Sequence, residues 1–298
     1  MIDLLTSRVM GDIFLGVTQG VLYGLIALSL VIVWQSTNIL NFAQGAMAMF
    51  ATYVGMTLLE HGLNYWACLA ISVAAGFVIG GATERVLVRP LYGKPEINSI
   101  VVMVGFLGIL EAGAVAIWGG TSRIITSPFS LSYFQHNGKT IFLSPFAVLQ
   151  IAAAVTVMLV VAGLFRFTKL GLQLRAAALA PEVARLLGVR VNRLLTLGWA
   201  LACSAGAVAA VVISSGFDGL TPTNMDVYFV FGFIAAAVGG LESPLGAVLA
   251  GVLIGVLQQF IVDYAPSSWA SFSPVLILVV ALMIRPQGLF SKQKARRV

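Results

Sequence analysis

Residues 34–47 read WQSTNILNFAQGAM, and they lie inside a run of 47 residues, Ile13 to Leu59, that carries no charged side chain. Gln35, Ser36, Thr37, Asn38, Asn41 and Gln44 put six amide and hydroxyl groups into this otherwise apolar run. An unpaired amide in hydrocarbon costs on the order of several kcal/mol, so these groups must face protein or a water-filled cavity. Asn38, Asn41 and Gly45 also weaken a helix locally. The stretch therefore predicts a break in a membrane span, leaving one bent helix or two.

The rest of the chain supports that setting. Of 298 residues, 59% are hydrophobic and 9% charged, and the mean hydropathy is +1.00. Ordinary globular domains carry roughly a quarter charged residues, and this chain cannot supply a polar shell of that kind. It reads as an all-α polytopic transmembrane bundle in a lipid bilayer, one transmembrane domain over 1–298. A helix needs about 20 apolar residues to cross. Charge-poor runs fall at 13–34, 39–59, 63–83, 97–118, 142–165, 194–215, 227–241, 243–262 and 270–285, which predicts eight or nine crossings. They are continuous rather than alternating, which argues against strands. The first residues lack a basic segment and a small-residue cleavage site, so no signal peptide is expected.

The net charge of +6 is topological rather than a sign of nucleic acid. Arg85, Arg89 and Lys94, then Arg166 to Arg193, then Arg285 to Arg297 alternate with poorly charged loops, which places all three segments in the cytoplasm. The loops at 119–141 and 216–226 fall outside. Gly16, Gly20 and Gly24 recur every fourth residue, as do Gly76/Gly80 and Gly251/Gly255, a spacing that lets helix backbones approach closely. Cys68 and Cys203 lie inside apolar spans and are expected to act as small hydrophobes.

Catalytic chemistry finds little support. His61 and His136 stand at predicted external ends with no ligand spacing around them. The GKT at 138–140 lacks the leading glycine of a phosphate loop, since position 133 is tyrosine, so no ATP site and no cofactor are expected in this chain. Glu111 is the acid expected within a span. It has either a structural, interfacial role or a transport role such as proton coupling, although no partner for it is visible in another span.

Two further stretches stand out. GGLESPLG, 239–246, is a second interruption, with Ser243 suited to the N-cap and Pro244 to the first turn of a helix. It reads as an ordinary turn or as the counterpart of the first break, and paired breaks point to a midplane transport site. On that second reading Asn41 and Gln44 face a solvated cavity against 239–246, and Gln19 and Tyr23 add polar groups on the preceding span. The basic loop 166–193 contains a short helix signature: Pro181 in a first turn, Glu182 at the positive end, Gly188 as a stop. Val183, Leu186 and Leu187 can form its apolar face. So short a helix must dock, on the membrane surface or on a cytoplasmic partner.

These stretches resemble a known family. GVTQGVLYGLIALSLVIVWQSTNILNFAQGAMAMFATYVG is similar to the N-terminal signature of permease subunits of branched-chain amino-acid ABC transporters. LRAAALAPEVARLLGV resembles their cytoplasmic loop, and FIAAAVGGLESPLGAVLAGVLIG their late glycine-rich element. The resemblance runs in order from about Gly11 to Leu289. It implies a bacterial inner-membrane permease paired with a second related permease, two cytoplasmic ATPase subunits that bind the ATP, and an external solute-binding protein. It implies a substrate pathway shaped by Asn41, Phe42, Ala43, Gln44 and Gly45, to which the polar and capping residues Gln19, Tyr23, Asn38 and Ser243 are added from the reading above. Coupling to the ATPases would fall to Arg175, Glu182, Ala184, Arg185, Leu187 and Gly188. Gln44 stands where this family often has histidine, and Glu242 where a neutral residue is common, which leaves urea and short amides beside hydrophobic amino acids as solutes. A self-sufficient proton-coupled transporter using Glu111 is the alternative class.

Overall fold

The computed structural model describes the backbone of residues 2–136, 139–141, 143–216, 219–285 and 288–289. Every predicted apolar run is a helix: α1 (Ile2–Thr37), α2 (Gln44–Glu60), α3 (Tyr65–Thr83), α4 (Glu96–Trp118), α5 (Pro145–Phe167), α8 (Val191–Ser214), α9 (Asn224–Gly239), α10 (Pro244–Tyr264) and α11 (Ser267–Ile284). Two more, α6 (Lys169–Leu179) and α7 (Pro181–Leu186), occupy the basic loop. A small hairpin, β1 (Phe134–His136) with β2 (Lys139–Ile141), lies between α4 and α5. Among the described residues six helices, α1, α3, α4, α5, α8 and α10, are long and apolar enough to cross a membrane; α2 has 17 residues and α9 has 16. Helix length by itself therefore accounts for six crossings and does not confirm the expected eight or nine.

The core is built around α1. Leu25 to Leu28 and Val31 to Val33 are buried on every side, as expected of a helix apolar all round. Its neighbours are α8, α9 and α10, with α5 and α6 more lightly applied. The glycine spacing does what it predicts. A Cβ on Gly16 or Gly20 would sit 2.6 Å from the Cα of Val256 or Val252 on α10, so the two backbones touch along an antiparallel seam. Gly251 and Gly255 answer from the opposite side against Gly24 and Gly20. On α3, a Cβ at Gly76 would lie 2.9 Å from the carbonyl oxygen of Cys203, so α3 and α8 form a second close pair. Cys68 and Cys203 are both buried and free, serving as packing groups.

Both interruptions divide helices completely. At the first, Asn38 has φ 54°, a left-handed conformation that asparagine tolerates better than most residues. At the second, Gly240 has φ 97°, and Ser243 caps α10 by accepting from the Gly246 N–H at 3.0 Å. Helices also run beyond the charge-free runs. Asp12 lies within α1, Asp226 in the first turn of α9, Asp263 in α10, and Glu84 continues α3 through a π-turn, Glu84–Val88. The expectation that Glu111 is the lone acid of the spans is therefore corrected.

The basic segments converge at one end of the bundle. Arg285 is described there; Lys292 to Arg297 lie outside the described residues, as does Gly138 of the GKT stretch. At the opposite end Arg123 pairs with Glu60 at 2.8 Å, and its backbone bridges to Leu220.

Candidate functional site

Five of the six polar groups of 34–47 bond to protein through their side chains, Asn38 being the exception. Ser36 and Thr37 return their hydroxyls to α1 carbonyls one turn back, Ile32 and Val33, at 2.7 and 3.1 Å. Asn41 Nδ2 donates to Gln44 Oε1 at 2.8 Å, while Asn41 Oδ1 accepts from the Ala43 N–H at 3.0 Å. Gln44 Nε2 then donates to the carbonyl of Ala202 at 3.1 Å. Ala202 is the twelfth residue of the 24-residue α8, so the amide pair sits at mid-height of that helix. Both side chains are fully buried. In this conformation they meet each other and α8, and neither faces water or the segment 239–246, as the sequence had suggested.

The contact between the two interruptions is made instead by Gln35, whose Nε2 donates to the carbonyl of Glu242 at 2.9 Å. Around it, Phe42 lies against Phe229 and Phe233 with centroids 6.4 and 6.2 Å apart. A Cβ on Gly45 would stand 3.1 Å from Phe229 Cβ, so glycine lets the start of α2 close onto α9. Asn38 is exposed and lines a cavity of about 250 Å³ at the arginine-rich end with Trp34, Tyr92 and Lys94.

Gln19 and Tyr23 belong to the other end. Gln19 lines a cavity of about 270 Å³ together with Thr18, Ser144, Gln150 and Tyr228. Tyr23, one turn deeper, stacks on Phe231 at 4.4 Å and lies 5.9 Å from Tyr228. The lining contains hydroxyls, amides and aromatic rings and, among the described residues, no charged side chain. Such a surface can hydrogen-bond a polar solute weakly and shelter an apolar side chain. Gln150 and Tyr228 were missed from the sequence, since each is a lone polar residue in an apolar run and only packing brings them together. Ser243 is remote from this cavity and serves α10 as its cap.

Glu111 is half-buried on α4. Asp226 lies beside it within hydrogen-bonding reach, while its Oε1 has no partner. Two carboxyls in contact share a proton readily.

At the arginine-rich end, α7 forms as expected. Gly188 has φ 80°, and the N–H groups of Gly188 and Val189 return to Arg185 and Ala184 at 3.0 Å each. Ala184 is buried against a cluster holding Leu174 and Ala177 of α6 with Leu194 and Trp199 of α8. Val183, Leu186 and Leu187 point away from it, exposed by 55%, 87% and 78%. Arg175, Glu182 and Arg185 are also exposed. Trp199 Nε1 donates to Thr37 Oγ1 at 3.2 Å, so α7 connects through packed side chains to the edge of the first interruption.

One group the sequence reading passed over is Glu84. Its wholly buried carboxylate accepts from Arg89 at 2.8 Å, Thr196 at 2.6 Å and Tyr92 at 3.2 Å. Burial and this carboxylate hold the Tyr92 phenol above its usual range, so it remains a donor. No group of three or more His, Cys, Asp or Glu that could hold a metal occurs among the described residues.

Residues 13–284 match the family described as branched-chain amino acid transport system, permease component. The chain belongs to this family. Among its relatives is the high-affinity branched-chain amino acid transport system permease protein BraD of Pseudomonas aeruginosa, 27% identical and covering 95% of this chain and 96% of BraD. LivH of Escherichia coli, named for the same type of system, is 24% identical over 96% of this chain and 97% of its own. The fructose import permease protein FruF of Bifidobacterium longum is 22% identical over 98% and 83%. This permease is thus a transport component of a multi-pass membrane type, and the 38–45 break, the 239–246 turn and α7 all lie within the matched residues or their span.

Proposed function

We propose that this chain is the membrane-spanning permease of an ATP-driven importer for branched-chain or other hydrophobic amino acids. It sits in a bacterial inner membrane with its arginine-rich end in the cytoplasm, beside a second related permease. An external binding protein delivers the solute, and two ATPase subunits dock on α7. On this reading all nine helices that correspond to the apolar runs cross, with the N-terminus outside.

The observation that carries the reading is the pairing of two opposite ends. One has a cavity formed by Gln19, Gln150 and Tyr228 with no charged side chain among the described residues; the other has a short helix with bare leucines fixed to the core through Ala184. A cavity with no fixed charge binds a zwitterion weakly, which suits a permease that must release what a binding protein captured. ATPase closure would push α7, and the contact from α6 and α8 through Trp199 to Thr37 would carry the push to the 38–43 break. The Asn41–Gln44–Ala202 bonds then exchange partners as the path changes the side to which it opens.

A panel of labelled solutes tests the substrate assignment. In cells expressing the full transporter, leucine, isoleucine and valine should accumulate and compete with one another, while fructose and urea should not compete. Uptake of fructose or urea with no competition by leucine would contradict it. The proton-coupled alternative draws its support from the Glu111–Asp226 contact.

A further inference from the structure

We propose that the seam between α3 and α8 holds an anionic phospholipid, its headgroup phosphate among Arg85, Arg89 and Arg193 and an acyl chain in the apolar groove beyond them. The inference uses the proposed sidedness, which puts these arginines at the cytoplasmic leaflet, where anionic headgroups attract basic residues.

A cavity of about 570 Å³ is lined by Arg85, Arg89, Asn192, Arg193, Thr196 and Leu197. The acid that lies close by is Glu84, and it is engaged by Arg89 at 2.8 Å. Arg85 and Arg193 have no ion-pair partner among the described residues. Three arginines thus line a cavity beside one buried carboxylate, and the excess positive charge suits a phosphodiester. The scaffold is fixed rather than loose: Arg89 is also held by the Asn192 carbonyl at 3.2 Å and by Thr196 at 2.7 Å. Guanidinium groups in set positions favour phosphate recognition.

A second groove, about 470 Å³, lies between α3, α5 and α8. Leu201 on its wall is one helical turn from Leu197 of the arginine pocket, and Phe77 is two turns from Arg85. Its hydroxyls belong to Thr156 and Ser204, and Ser204 is satisfied by the carbonyls of Ala200 and Val73 at 2.9 and 3.2 Å. Phe77 and Val160 on its rim are exposed by 41% and 63%, which opens it sideways. An apolar slot whose wall stands one helical turn from a basic pocket on the same two helices suits a lipid's chain and headgroup. A free phosphate would leave the slot unexplained, and a second copy of this chain would bring its own arginines against these.

The test uses the whole transporter complex, purified from phosphatidylcholine nanodiscs with or without phosphatidylglycerol, and native mass spectrometry of retained lipid. Wild type should keep phosphatidylglycerol in preference to phosphatidylcholine. R85Q/R193Q should weaken that retention by roughly tenfold or more, given about 1 kcal/mol per basic residue near the membrane surface. R85K/R193K should keep most of it. Ala74→Phe, which fills the groove and leaves the arginines alone, should also reduce it. Equal retention of the two lipids, or no loss in R85Q/R193Q, would overturn the proposal. So would displacement of phosphatidylglycerol by inorganic phosphate in wild type together with unchanged retention in Ala74→Phe, the signature of a free-anion site. Efficient disulfide formation between cysteines placed at position 74 and a neighbouring permease would instead identify the groove as a subunit interface.

Discussion

Asn41 illustrates how a residue can be recognised before its partner is known. Its type and setting forbid a lipid-facing position, and that much was legible. Its partners, Gln44 beside it and the Ala202 carbonyl far along the chain reached through Gln44, come from tertiary packing. Replacing Asn41 with leucine leaves Gln44 Oε1 and the Ala43 N–H without their bonds, at a cost of about 1–3 kcal/mol for each unpaired group. The variant should insert and assemble, melt at a lower temperature and lose most uptake. Full uptake at unchanged melting temperature would show that the amide bond serves neither stability nor the path. Glu111 gives the opposite lesson. Its burial was foreseen, but Asp226 was not, because the helix α9 begins before the charge-free run does. Glu111→Gln preserves a hydrogen-bonding partner for Asp226, so uptake should stay above about half of wild type with the same pH profile. Loss of uptake at normal expression, or a shifted pH profile, would favour proton coupling.

At the scale of elements, helices and their ends were the most readable features. Ser243, Pro244, Pro181 and Gly188 act as caps and stops, and each does so through local chemistry that sequence reports directly. Glu84 escaped notice for the converse reason. It looks like one more charge in a cytoplasmic loop, and only Thr196, 112 residues away, reveals it as a buried tie between α3 and α8. The convergence of Gln19, Gln150 and Tyr228 was equally hidden, since α1, α5 and α9 carry one each. For α7, the structure supports a prediction about coupling. Gly188→Pro cannot adopt φ 80° and removes the N–H that closes the helix on Arg185, while Glu182→Lys places positive charge at the positive helix end. Both variants should leave the complex assembled, with uptake reduced at least tenfold relative to ATP hydrolysed. Uptake and hydrolysis in normal proportion in both would show that α7 does not transmit the stroke.

The whole molecule is organised by glycine seams. They bring the backbones of α1 and α10 and of α3 and α8 into contact, while the chain turns at the breaks 38–43 and 240–243. That division suits a machine driven from one end and loaded from the other. On the proposed function, solute movement is driven by ATP acting through partner subunits. The direct measurement is uptake of labelled leucine into proteoliposomes holding the complete transporter, with ATP enclosed, binding protein outside and a protonophore present. Leucine should accumulate only with both enclosed ATP and the binding protein, and the protonophore should make no difference. Accumulation by this chain in ATP-free vesicles, abolished by the protonophore, would contradict it.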